Sequence, residues 1–386
     1  MLQRQLNGLD ELANARAVLL DICQQVIPAR PRPVDKPLWL YGAGNLGKMA
    51  HAYLQWLGIP VCGVVDRRAD FWREQAEWRD IPLLLPEELD SAQKQDLLAV
   101  TISTLPYSRL QAELQAQGWT DIQPFYDVAE AYRHRHPLSN GWFAGSLSED
   151  EVSGMQHTLA LWEDSCSRAH YLQFLAWRCL RQDWVDPLYP VAVEQRYFIP
   201  EVRACWQAQE CWLDVGAHHG EVSLRIAAER AGHTDRFILI EADAANAQVI
   251  RQQAPDFTLL PCCVGERAAR QPFLSGQGYA SQPTPLSDEF VEQVTLDSLG
   301  LAPTVIKLHL EGHELAALRG SVQTLQAQRP LLMITAYHNR DGMAALPLWL
   351  AAHLPDYRFL FRLHGWCGTA ALIYGIPIER ESLSRA

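Results

Sequence analysis

The chain has 386 residues, 48% hydrophobic and 20% charged, with 23 Gly and 23 Pro, which is too long for one ordinary core and too ordinary for a collagen-like or disordered chain. Its formal net charge is -12 and its only lysines are Lys36, Lys48, Lys94 and Lys307, which argues against both the basic stripe of a nucleic-acid binder and the cationic face of a membrane-surface helix. No apolar run nears the ~20 residues of a spanning helix, no signal-peptide pattern opens the chain, and the 9 cysteines, scattered or vicinal at Cys262-Cys263, read as reduced thiols of a cytoplasmic protein.

Residues 1–27 carry a helical pattern. Four prolines in 27–37 forbid a regular element there. Strands then alternate with helices: strand 38–41, helix 46–57, strand 61–65, strand 97–102, helix 107–117, strand 121–125. Such alternation predicts a parallel sheet with right-handed crossovers. Residues 1–135 therefore read as a Rossmann-like unit. Residues 136–195 read as a linker and bridging helices. Ser148 and Glu151 form the S-x-x-E pattern of a capped helix start. Trp162, Tyr171, Phe174 and Trp177 suggest helices packed between two units. Residues 196–386 form a second alternating unit, with strands at 211–215, 237–241, 258–260, 305–310, 331–335, 357–362 and 371–374. The last two strands have no helix between them, so they predict an antiparallel hairpin closing a parallel sheet. The fold class is α/β with two Rossmann-like units.

Gly42-Ala-Gly44-Asn-Leu-Gly47 is G-x-G-x-x-G on a strand-to-helix turn, and Asp66 follows the next strand. That is the full context of a dinucleotide fingerprint: glycines admit a phosphate to the helix N-terminus and the acid faces a ribose. No catalytic Ser/Tyr/Lys set accompanies it, so a nucleotide is expected more than NAD redox chemistry. Residues 38–66 also resemble N-terminal nucleotide-binding units found in enzymes of bacterial polysaccharide modification.

The second glycine turn, Asp214-Val-Gly216-Ala217-His-His-Gly220, differs by placing an acid at the strand end. Beside a pyrophosphate that charge repels, whereas beside the α-ammonium of an amino-acid moiety it attracts. Glu241, followed by Ala242, closes the next strand and suits both ribose hydroxyls. Acid, open turn and acid together describe a site for S-adenosylmethionine.

Residues from about 197 onward resemble the FkbM family of S-adenosylmethionine-dependent methyltransferases. The resemblance is carried by 195–198 (QRYF), Asp214-Val-Gly-Ala217 with Gly220, Glu241, 294–299 (VTLDSL), Ile306-Lys307, Glu311-Gly312, Glu314, Gly320, Pro330 and Tyr337-His338. It implies a class I methyltransferase fold with an antiparallel last strand, and O-methylation of sugars or other hydroxyl-bearing natural products. The family usually has Asn or Tyr at the position of His218 and Asp at that of His309.

The stretch 304–314 (TVIKLHLEGHE) carries the chemistry. Alternation puts Lys307, His309 and Glu311 on one face of a strand that should be apolar on both. A buried polar row is costly unless paired and used. Lys307 is expected to keep Glu311 ionised. Ligands in open α/β sheets sit beyond the carboxyl ends of the strands, so His309, Glu311 and His338 should converge on one crevice as candidate bases for a hydroxyl acceptor. With His309 as the base, turnover would rise through a pKa of ~6.5. No metal is expected: His309 and His313 flank Gly312 at a strand end, not on one helix face, and a metal held across strands by His309, Glu311 and His338 is the less favoured alternative. The acceptor is a small molecule or glycan. Alternatives for the first unit are NAD chemistry on a nucleotide sugar or a non-catalytic docking module.

Overall fold

The computed structural model describes residues 4–25, 30–138 and 140–381. The helix expected over 1–27 is α1 (Leu12–Gln24). The start of the proline stretch and Ser139 of the expected linker lie outside the described residues.

The first sheet is parallel throughout. It contains β1 (Leu38–Tyr41), β2 (Gly63–Val65), β3 (Leu83–Leu84), β4 (Leu97–Val100) and β5 (Asp121–Pro124), in the order β3-β2-β1-β4-β5. Period-2 alternation splits β1 between two cores. Leu38 and Leu40 pack with Tyr53 and Leu54 of α2 (Asn45–Trp56). Trp39 and Tyr41 pack with Tyr107 and Leu110 of α3 (Tyr107–Ala116). The strand order reverses between β1 and β4, and the first glycine turn lies at that reversal.

Helix α4 (Glu149–Leu161) begins on the expected capping box, Ser148 and Glu151 satisfying each other's backbone amides. Helix α5 (Ser165–Leu180) is capped by Asp164 and ends at Arg181, which adopts a left-handed conformation. Its buried side chains serve both units. Phe174 packs with Phe361 of the second sheet, and Trp177 packs edge-on against Tyr107 of α3. Arg181 is fully buried and pairs with Asp127 of the first unit at 3.0 Å.

The second sheet holds β6 (Cys211–Val215), β7 (Arg236–Ile240), β8 (Thr258–Leu260), β9 (Val305–Leu308), β10 (Leu331–Thr335), β11 (Tyr357–Leu363) and β12 (Ala371–Pro377). Their order is β8-β7-β6-β9-β10-β12-β11. The last strand, β12, runs antiparallel between β10 and β11, as expected. Helices α6 (Glu221–Glu229) and α7 (Ala244–Gln253) follow β6 and β7.

Two features depart from the expected organisation. Leu19 and Ile22 of α1 belong to the same core as Leu213, Ile306 and Ile373 of the second sheet, although they fall before the expected boundary at 135. The reason is its apolar stripe: Ala15, Leu19 and Ile22 are buried, and α4 and α5, which lie on the second sheet, cover that stripe. Between β8 and β9 the chain also forms a small four-stranded sheet from Cys263–Val264, Ala269–Leu274, Gln282–Pro283 and Phe290–Val294.

Candidate active site

The turn after β6 lies against β9. Gly216 has φ 74, and a Cβ there would stand 2.0 Å from the His309 carbonyl oxygen, so the position requires glycine on both counts. The Gly216 and Ala217 amides donate to the Ile240 carbonyl at the end of β7. Gly220, with φ 81, opens α6. Glu241 binds the turn from the other side: its carboxylate accepts the amides of His218 at 2.7 Å and Asp243 at 2.8 Å. Burial pushes its pKa upward. Gly216, His218, Glu241, Ala242, Asn246, Tyr279, His309 and Glu311 line a slot at the carboxyl ends of β6, β7 and β9. This is where the open-sheet rule puts a ligand.

Asp214 does not line that slot. One oxygen takes Lys307 Nζ at 2.7 Å and the other takes the Ser223 hydroxyl at 2.7 Å. Both its oxygens are thus engaged by side chains of the same unit. Lys307 also donates to the Gly216 carbonyl at 2.6 Å, so the pair clamps the glycine turn to β9. Lys307 is likewise not the partner of Glu311. Parallel register sets Lys307 opposite Asp214, a neighbour that strand alternation alone does not reveal.

The partners of Glu311 are two imidazoles. Its carboxylate lies 3.2 Å from His309 Nε2 and 3.3 Å from His338 Nε2. Glu311 has φ 51, a left-handed conformation uncommon outside glycine. Behind His338, Nδ1 meets Glu314 at 3.0 Å. Glu314 is itself held by the amides of Leu310 and Gly312 and by the Thr335 hydroxyl. His309 Nδ1 meets the Tyr197 hydroxyl at 3.1 Å, and Tyr337 Oη stands 3.3 Å from its Nε2. Arg196 donates to both tyrosine hydroxyls.

These contacts set the charges. Burial pushes His309 down to about 3, so it is neutral near neutrality and the expected rise in turnover through ~6.5 has no basis in this group. Burial opposes the charge on Glu311, but His338 and His309 outweigh it and hold the carboxyl below its usual range. Burial also opposes charge on His338, yet Glu311 and Glu314 raise it to about 9. Burial opposes Glu314 too, and His338 brings it down to about 2. Glu314, Tyr197 and Arg196 were visible in the sequence without a role. Their signal was position: Glu314 follows the glycine that ends the strand segment. Tyr279, stacked on His218 at 3.7 Å, sits in a stretch with no regular period.

The first glycine turn opens onto the same space. A crevice of about 1030 Å³ is lined by Gly42, Gly44, Asp66, Arg68 and Thr101 on one side and by Gly216, His218, Lys307, His309, Glu311 and Tyr337 on the other. Gly47 lies beneath, its Cα side packed on the Gly42 carbonyl. Asp66 does not offer a bare carboxylate: it accepts the amides of Ala43 and Arg68, each at 2.7 Å. The site residues of both units therefore face one cavity between them.

A seven-stranded sheet with an antiparallel last strand, a glycine turn and an acid at the end of the second strand defines a class I methyltransferase fold. Residues 214–361 match the model of the Methyltransferase FkbM domain. The whole architecture is similar to the crystal structure of Methyltransferase FkbM from Methylobacillus flagellatus KT, with a TM-score of 0.59 over 95% of this chain and 99% of that one, at 19% identity. No curated protein matches the chain. No helix among the described residues is long and apolar enough to cross a membrane.

Proposed function

We propose that the chain transfers the methyl group of S-adenosylmethionine to a hydroxyl of a sugar or natural-product precursor. One observation carries this reading: the slot beside Glu241 and the His309–Glu311 wall share lining residues, so a cofactor and an acceptor would meet there. The adenosine would lie in the slot with its ribose toward Glu241 and the backbone of Gly216–Ala217 beside the amino-acid end. In-line displacement needs the acceptor oxygen on the far side of the methyl carbon, which is the crevice side. Neutral His309, oriented by Tyr197, is the group there able to accept the hydroxyl proton. Ionised Glu311 would stabilise the imidazolium that results. Calorimetry with S-adenosylhomocysteine on the full chain tests the cofactor. One equivalent bound, and lost in Glu241→Ala, supports it; no binding at millimolar ligand refutes it.

The first unit would act as a docking module for the acceptor. The shared crevice favours this over NAD chemistry, as does the engagement of both Asp66 oxygens by backbone amides. Thermal shifts with UDP but not with NAD are expected. Substrate-dependent formation of NADH would refute the non-redox reading.

A further inference from the structure

The wall described above has the donor set of a metal centre. We propose that His309, Glu311 and His338 bind one divalent transition-metal ion, which takes the acceptor hydroxyl as a further ligand. The proposal rests on the methyl-transfer reading only for what the ion does, not for whether it binds.

The geometry argues first. One ligand atom from each of the three residues lies within 4.8 Å of the others, and Glu311 stands 3.2 and 3.3 Å from the two Nε2 atoms. Cis ligands ~2.1 Å from an octahedral ion lie roughly 3.0 Å apart, so the two Glu311–imidazole separations need to close only slightly. Orientation argues second. A metal-bound imidazole typically donates its other N–H to a carboxylate or similar acceptor. His338 does so to Glu314, which is fixed by three further hydrogen bonds, and His309 Nδ1 is held by Tyr197. With Nδ1–H given to Glu314, the Nε2 lone pair of His338 points at the cluster. That atom is buried, and its contact with Glu311 at 3.3 Å is not a well-aligned hydrogen bond, which leaves room for a better partner.

Charge argues third. Glu311 and Glu314 are two buried carboxylates flanking one imidazole. An imidazolium balances one of them, whereas a dication in place of its proton balances both. Access argues last. His309 and Glu311 line the crevice while His338 lies behind them, leaving the ion's front open. Tyr337 Oη would give up its contact with His309. Two nitrogens and one oxygen favour Mn²⁺, Fe²⁺, Co²⁺ or Zn²⁺ over Mg²⁺ or Ca²⁺.

At such an ion the acceptor hydroxyl loses its proton to crevice water, because coordination lowers its pKa. The freed oxygen pair forms the O–CH₃ bond as the S–CH₃ pair returns to sulfur, leaving a thioether. Coordination then replaces proton transfer to His309.

The test is binding, measured on the full chain after dialysis against EDTA. Mn²⁺ titration followed by electron paramagnetic resonance should give one ion per chain, with Mg²⁺ failing to compete at tenfold excess. Spin-echo modulation of the wild-type Mn²⁺ complex should show directly bound imidazole nitrogen. Glu311→Gln and His338→Gln should each weaken Mn²⁺ binding at least tenfold, and Glu314→Gln, a positioning change, by ~10–100-fold. Absence of Mn²⁺ and Co²⁺ binding at millimolar metal, absence of nitrogen modulation, or unchanged affinity in folded variants would each overturn the proposal. S-adenosylhomocysteine calorimetry in EDTA is a separate readout: cofactor binding there leaves the methyl-transfer reading standing even when the metal fails.

Discussion

Glu241→Gln separates two roles of one carboxylate. In the structure Glu241 is 7% exposed and accepts two amides, from His218 and Asp243. Glutamine keeps one acceptor oxygen and turns an NH₂ toward the other amide. That leaves a buried donor unpaired, at about 1–3 kcal/mol of stability in the ligand-free chain. Charge-assisted hydrogen bonds to ribose hydroxyls are worth about 1.5–3 kcal/mol, which corresponds to roughly 10–150-fold weaker cofactor binding. The two effects are read by different assays. Thermal melting without ligand reports the first, and calorimetry with S-adenosylhomocysteine below the melting transition reports the second. An affinity within threefold of wild type in a folded variant would show that Glu241 only ties the turn to β7. An unchanged melting temperature with weakened binding would refute the structural half of the reasoning.

Three other substitutions probe the frame. Gly216→Ala, which drives a methyl into the His309 carbonyl at a positive φ, should cost about 2–4 kcal/mol in denaturant unfolding; a loss below 0.5 kcal/mol would mean the turn moves freely against β9 (the threshold is about the scatter of a surface substitution). Arg178 is fully buried and donates to the carbonyls of Asn140, Trp142, Tyr337 and Gly368. Arg178→Leu strands those acceptors and should lower stability by about 3–5 kcal/mol, with turnover falling because Tyr337 is among them; full activity in the folded variant contradicts this. Burial pushes His170 down to about 3, so the folded state keeps it neutral while the unfolded chain takes a proton near ~6.5. Its contribution is whole above that pH and is lost toward pH 3 at about 1.4 kcal/mol per unit. Denaturant unfolding between pH 7 and 5 should show a shallower pH slope in His170→Gln, and equal slopes would refute the assignment.

Much of the fold was legible because β1, β6, β9 and β10 are long enough to show apolar runs between turn signals. β3 has two residues and leaves no pattern. The small sheet at 263–294 mixes Arg270, Gln271 and Pro272 into one strand, which no period-2 test selects. The site divides in the same way. Its members Glu241, His309, Glu311 and His338 were readable, since strand ends and the carboxyl-end rule locate them. Their pairings were not, because Lys307–Asp214 depends on the register of β9 against β6, and His338–Glu311 depends on a single left-handed residue. His313, the nearer histidine in sequence, turns to the Pro283 carbonyl, while His338 comes from the next strand's loop.

The place of α1 bears on how the chain is made. The strands of the first sheet lie between Leu38 and Pro124, so that unit can close on the ribosome from contiguous chain. Helix α1 leaves the ribosome before it, yet its core partners include Phe361 and Ile373. Its apolar stripe is covered by α4 and α5, so it stays open until residues 149–180 have emerged. The least local pairing of the second sheet sets β9 beside β6, with Val305 opposite Trp212, and contacts of such sequence separation form slowly. Synthesis leaves Leu19 and Ile22 exposed until α4 and α5 arrive, which makes α1 a segment that a nascent-chain chaperone has reason to hold.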